Sequence, residues 1–520
     1  MIAPRKVEFG DFQTPSVLAQ EIADFLRDIG ETADVIVEPT CGRGSFVHAA
    51  LAAFPGANIV YGFDINPAYV REAVGAVNRD AACKVHIECR NFFQVDWTEF
   101  FSRLGGRILV VGNPPWVTNS ALGSLGSSNL PEKTNFQGRN GFAAKTGKAN
   151  FDISEWMLIR LLDALHRRAG CVAMLCKTAT ARKLLRHAWL NRLNVGRASL
   201  HLIDAQKHFA ASVDACLFIV HTGHLESAAT ASVYSDLSFD GRVATIGLAG
   251  KELVADIDEY LRLRDIDGVP YYTWRSGVKH DAAGIMEFRR DNGHFTNGRH
   301  EKCHLEATHL FPLLKSSDIA NGRTMPHRYV LVTQRKPSDD TGEMRKCAPQ
   351  TWAYLTAHAD ALDRRRSIIY QKRPRFAVFG VGNYTFSPWK VAISGLYKNC
   401  RFQVVGEHHG KPIVLDDTCY FIPCSSEPEA RFVCELLNSD ICQRFLRSLV
   451  FFDAKRPITI DVLNRIDLSR VAEHVNRATE ARRFLTDAAG FEDRQPLLVF
   501  EKKAEYQTKR PKAHRVLRRR

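Results

Sequence analysis

The run Val35-Ile-Val-Glu38-Pro-Thr-Cys41-Gly42-Arg-Gly44-Ser-Phe46 reads as a strand, a tight glycine loop and the start of a helix. Three apolar β-formers end in an acid. Two glycines then let the backbone approach a ligand closely and free the amides of a helix N-terminus. The third glycine of a dinucleotide fingerprint is absent, as is the lysine of a phosphate loop. An acid ahead of the glycines disfavours phosphate and favours a ligand with a cationic or hydroxyl-bearing part. Outward from this run, residues 59–63, 85–89, 107–111, 172–176, 200–203 and 215–220 read as further strands, and 16–26, 45–54, 67–77 and 153–165 as helices. Strands separated by helices of this length predict βαβ units and a doubly wound parallel sheet, an α/β fold.

The second strand ends in Asp64, placed to accept hydrogen bonds from ribose hydroxyls. The two acids together fit S-adenosylmethionine, a nucleoside joined to a sulfonium amino acid without phosphate. The fourth strand runs into Asn113-Pro114-Pro115-Trp116. Two prolines stiffen the turn, so the Asn113 side chain and the Pro114 carbonyl are held as fixed acceptors. Two such acceptors match the two hydrogens of a planar amine, and Trp116 offers a flat face on which a base can stack.

In this order the motifs resemble the amino-methylating DNA methyltransferases, specifically the adenine-N6 enzymes with cofactor motifs first and a target-recognition domain last. The resemblance implies a Rossmann-like methyltransferase domain over residues 1–225, an α+β target-recognition domain over 226–480 and a basic tail over 481–520. It implies S-adenosylmethionine contacts from Thr14 and Pro15, from Glu38, Pro39, Cys41, Gly42 and Gly44, from Asp64 and Ile65, and from Asn91 and Phe92. The family usually has Asp where this chain has Asn91, and Tyr or Phe where it has Trp116. Asn113, Pro114, Pro115 and Trp116 would form the catalytic tetrapeptide, with Trp116 and Phe209 as the two walls around a flipped adenine. Lys145, Arg275, Lys279 and Lys390 are candidate contacts to double-stranded DNA. A cognate restriction endonuclease acting on the same site is an implied partner, and a monomer or weak dimer the implied assembly.

Composition narrows the class without naming a function. The chain has 520 residues, 45% hydrophobic and 25% charged, as ordinary globular proteins do. Its 13 cysteines follow no zinc-ribbon spacing, so no metal site is expected. No apolar run is long enough to span a bilayer, and Met1 to Glu8 lacks the core of a secretion signal, so a cytoplasmic location is expected. Of the net charge of +14, eight units lie between Lys502 and Arg520, which leaves a nearly balanced body. Residues 117–150, rich in Gly, Ser, Asn and Lys, read as a lid over DNA. Other readings stay open at this point: methylation of cytosine N4, RNA or a protein glutamine, or a non-catalytic DNA-binding protein on the same scaffold.

Overall fold

In a computed structural model, which describes residues 13–77, 83–117, 152–224, 229–291, 293–370 and 373–485, ten strands form one sheet. They are β1 (Val35–Glu38), β2 (Ile59–Asp64), β3 (Lys84–Cys89), β4 (Ile108–Gly112), β5 (Gly170–Lys177), β6 (Val195–Ile203), β7 (Ala215–Thr222), β8 (Thr230–Tyr234), β9 (Arg242–Ala249) and β10 (Glu252–Val254). Their order across the sheet is 10-9-8-6-7-5-4-1-2-3. β1 to β5 are mutually parallel, whereas β7 runs antiparallel between β5 and β6.

Both faces of this sheet are covered, which is why β1, β4 and nearly all of β5 read as continuous apolar runs. The strand alternation divides the core in two. Val35 and Val37 pack on one side with Trp97, Leu161 and Leu185. Ile36 packs on the other with Leu18, Ile22 and Phe46. Helix α1 (Ser16–Asp28) supplies Leu18, Ile22 and Leu26 from a single stripe, as its spacing predicts. Helix α2 (Ser45–Ala53) follows the glycine loop. Helix α3 (Pro67–Ala76) is capped by the Asn66 side chain, which accepts from the Ala68 amide at 2.9 Å, with Pro67 in the first turn where no donor is missed.

The large sheet runs on to Val254, past the change of rhythm expected near residue 226. β8 pairs parallel with β6 and carries β9 and β10 with it. These strands are short and partly exposed, so their apolar pattern is weak in the sequence. Beyond them lie a four-stranded antiparallel sheet centred on Trp389–Ser394 and Cys419–Cys424, and a six-stranded sheet containing Leu310–Leu314. Helices Glu427–Asn438 and Asp440–Leu449 follow one another, separated at Ser439, whose extended backbone ends the first. Residues 376–379, an apolar run, are irregular; Phe376 has a positive φ of 65° and only Phe379 bridges, to Lys279.

A half-buried ion pair joins the two parts. Asp453 accepts from Arg182 at 2.6 Å and from the Thr178 hydroxyl, both on helix α4 (Thr178–Leu190). The guanidinium also lies 4.4 Å from the Phe451 ring centroid. Burial pushes the Asp453 carboxyl up, but Arg182 and Thr178 outweigh it and hold the group below the ordinary value. Removing one partner strands the other charge. Asp453→Ala should therefore cost about 3 kcal/mol at neutral pH, read as a lower denaturation midpoint. An unchanged midpoint would show that the pair contributes nothing to holding the two parts together.

Candidate functional site

β1 and β4 are neighbours at the point where strand order reverses, the place where open α/β sheets bind ligands. A cleft opens there. Of the residues expected at the cofactor and the amine, Thr14, Glu38, Pro39, Cys41, Gly42, Asp64, Ile65, Phe92, Asn113 and Pro115 line it. Gln13, Thr40, Ser45, Phe46, Asn66, Arg90 and Phe93, neighbours of the assigned residues in the same motifs, and Tyr69, Ile153 and Met157, which no motif signals, complete the wall. Phe46, Phe92, Phe93, Ile153 and Met157 give that wall a broad apolar side.

The loop between β1 and α2 is braced by the acid at the end of β2. Asp64 accepts from the Gly42 amide at 2.9 Å through one oxygen and from the Asn66 amide at 2.8 Å through the other. Cys41 donates its amide to the Phe63 carbonyl at 2.7 Å, fixing the same loop to β2. The segment before α1 closes the cleft from the other side: Ser45 Oγ donates to the Thr14 carbonyl at 2.9 Å, and the Arg43 amide to Gln13 Oε1 at 3.2 Å. Thr14 Oγ1 in turn accepts from Asn113 Nδ2 at 3.2 Å, tying the amide at the end of β4 to the cofactor side.

Glu38 is 3% exposed, and its Oε2 has no hydrogen-bond partner among the described residues. Burial pushes its carboxyl well above the ordinary value; the Val47 amide counters this in part, and the charge of Asp64 adds to it. A buried acceptor left unsatisfied is costly, so the cleft is built for a donor or cation at this position. Burial likewise raises the Cys41 thiol, which stays neutral and serves as packing.

Several expected residues are placed otherwise. Asn91 is not among the residues lining the cleft; its Oδ1 accepts from the Phe93 amide at 2.9 Å and caps a short 3-10 turn. Pro15 and Gly44 are not among the residues lining the cleft; the Pro15 carbonyl accepts the Ala19 amide at 3.0 Å in the first turn of α1. Trp116 is buried and meets Phe209 edge to face, centroids 5.2 Å apart at 64°. In this arrangement the two rings touch each other. Lys177 Nζ donates to the Trp116 carbonyl at 3.3 Å and also bonds Asp152, linking the tetrapeptide to the helix Ile153–Leu165, a contact no motif signals.

Three of the candidate DNA cations are engaged inside the fold, and Lys145 lies outside the described residues with most of the expected lid, as do residues 486–520 of the tail. Arg275 is 4% exposed and lies over the Tyr384 ring at 4.6 Å. Lys279 is shared by Asp281 and Asp417 at 3.3 and 3.4 Å. Lys390 is fully buried and donates to the Ser387 carbonyl at 2.7 Å. Residue type marks charge, not exposure. At the opposite end of β5, Glu31, Cys171 and His221 bring three metal-ligand atoms within 4.8 Å, but Glu31 already pairs with His221 at 2.5 Å and Arg107 at 2.9 Å.

The chain is 43% identical over 473 residues to the type II methyltransferase M.NspV of Nostoc sp., covering 90% of this chain and 98% of that protein. The chain belongs to the type II methyltransferases. These are enzymes of restriction-modification systems. No protein-family model matches the chain. Among solved structures, the type IIL restriction-modification enzyme MmeI, solved in complex with DNA, matches with a TM-score of 0.55 at 12% identity, over 89% of this chain and 69% of that one. That likeness is one of fold, and it spans the methyltransferase sheet and the parts that follow. Among the described residues no helix of this methyltransferase is long and apolar enough to cross a membrane.

Lys390 gives the methyltransferase a pH signature. Burial lowers its ammonium from an ordinary 10.5 to about 7, so the fold favours the neutral amine. The destabilisation is complete below pH 7 and is relieved as pH rises toward the unfolded value. Between pH 7 and 8.5 wild-type stability should gain up to about 1.4 kcal/mol per pH unit relative to Lys390→Met, read from denaturation midpoints. Parallel pH profiles for the two proteins would show that Lys390 does not titrate in this range.

Proposed function

We propose that this methyltransferase transfers a methyl group to the N6 amine of adenine within a specific double-stranded DNA sequence, in partnership with a cognate restriction endonuclease. The observation that carries the proposal is the juxtaposition of Asn113, at the end of β4, with the Glu38 cleft at the end of β1, the Asn113 amide being held by Thr14. The methyl donor is S-adenosylmethionine, which supplies an electrophilic methyl on a good leaving group, so no covalent enzyme intermediate is needed. Glu38 would answer its cationic or hydroxyl-bearing part, Asp64 its ribose, and Ile65, Phe92 and Phe93 its adenine face.

Asn113 and the Pro114 carbonyl would accept the two hydrogens of the N6 amine. Held so, the nitrogen lone pair is drawn out of ring conjugation and aimed at the cleft. Alignment of this kind accounts for much of a transfer barrier, and acceptors fixed in advance stabilise positive charge growing on the nitrogen. An adenine inside a duplex cannot reach the amide, so the base must rotate out, at a cost of a few kcal/mol. Trp116 and Phe209 would then part and stack on it. The portion after Val254 would read the sequence, and the tail beyond residue 480 would add nonspecific attraction to phosphates.

Tritiated S-adenosylmethionine offered with duplex DNA, RNA or protein tests the proposal. Label should appear in duplex DNA as N6-methyladenine. Asn113→Ala should lower the rate at least about 100-fold while cofactor affinity by calorimetry stays within a few-fold, since the amide acts on the amine. Label in N4-methylcytosine, RNA or protein, or an unaffected rate in the variant, would overturn it.

A further inference from the structure

The connection between the strands Trp389–Ser394 and Gln403–Val405 carries four consecutive exposed residues, Leu396, Tyr397, Lys398 and Asn399, between buried Gly395 and Cys400. Leu396 is 36% and Tyr397 41% exposed, an apolar pair at the apex of a turn. The base of the turn is fixed on both sides. The Gly395 amide donates to the Thr418 carbonyl at 2.9 Å, and a Cβ at Gly395 would meet the Tyr420 ring at 2.7 Å. Ser394 Oγ accepts from the Leu396 and Tyr397 amides at 3.3 Å each and bonds Ser316 Oγ at 2.6 Å. On the returning side Gln443 donates to the Cys400 carbonyl and Asn438 accepts from the Phe402 amide, both at 3.0 Å. A tip braced at its base and bare at its apex can push into a partner without folding back.

Its position indicates the partner. Lys398 lines a surface groove with residues 202–206 and 211–215, on the active side of the large sheet. Those two stretches flank the short helix Ala205–Phe209, and Phe209 is the ring that touches Trp116. The tip therefore stands across a groove from the wall of the proposed base pocket. We propose that Tyr397 enters the DNA stack at the place the target adenine leaves, while Lys398 takes a neighbouring phosphate. The inference rests on the base-flipping reading given under the proposed function. A flat ring stacks on the bases either side of the gap, and wedges of this kind offset the cost of unstacking. Asp204 and Asp214 make the far side of the groove anionic, so the phosphate belongs on the exposed Lys398 side.

The test uses the full-length enzyme and a duplex carrying its methylated sequence. With 2-aminopurine at the target position, fluorescence should rise on binding wild-type enzyme and rise less with Tyr397→Ala. On the matched duplex Tyr397→Ala should lower kcat/KM at least about tenfold, but only about threefold or less when the target adenine is mismatched and already easy to extrude. Tyr397→Phe should restore the rate, since the ring does the work. Equal losses on both duplexes, or no loss on either, would overturn the wedge. An undiminished fluorescence rise in Tyr397→Ala would overturn the wedge and leave flipping intact, whereas no rise with wild-type enzyme would overturn both together.

Discussion

The parallel pairing of β1 with β4 is the constraint on which the site depends. Val35, Ile36 and Val37 stand opposite Ile108, Leu109 and Val110, so the two strands end within one residue of each other. Glu38 and Asn113, 75 positions apart in the chain, are thus brought to the wall of one cleft. Gly112 makes the last step possible. Its φ is +153°, and a Cβ there would meet Glu38 Cγ at 3.2 Å. Any side chain at this position would press on the acid, so the strand can pass close to Glu38 only as glycine.

The two acids at the strand ends divide the work by the way they are solvated. Asp64 has an amide on each oxygen and braces the glycine loop. Glu38 is deeper, carries an unsatisfied oxygen and sits close enough to feel the charge of Asp64. A ligand that donates to Glu38 removes an existing penalty as well as adding a contact. Part of the free energy of ligand binding would therefore come from satisfying Glu38. Preorganisation here lies in the polar groups, while the apolar side provided by Phe46, Phe92 and Met157 gives area without direction.

Much of this was legible in the sequence because the chemistry there is local. The glycine loop, the acids at the strand ends and the rigid Asn-Pro-Pro turn each depend on a few consecutive residues. What escaped depends on distant partners. Asn91 reads as a ligand contact, and only the structure shows its Oδ1 capping the turn at Phe93. Lys390 and Arg275 read as DNA cations until burial places them under strands and rings. β8 to β10 join the first sheet only because β6 has a free edge, which a sequence does not display. Lys177 reaches back to the Trp116 carbonyl across 61 positions, and no motif encodes that.

The closed contact between Trp116 and Phe209 is compatible with their proposed role as walls of a base pocket. Two rings stacked on a base between them stand roughly 7 Å apart, wider than the 5.2 Å edge-to-face contact seen here. Breaking an edge-to-face pair costs about 0.5–1.5 kcal/mol, less than the few kcal/mol needed to unstack the adenine itself. Stacking on both faces of the incoming base returns more than the lost pair. Ala210, directly after Phe209, has a positive φ of 52°, a conformation that alanine holds only against local strain. Closed rings in the free enzyme would then exclude water from the end of β4 until a base displaces them.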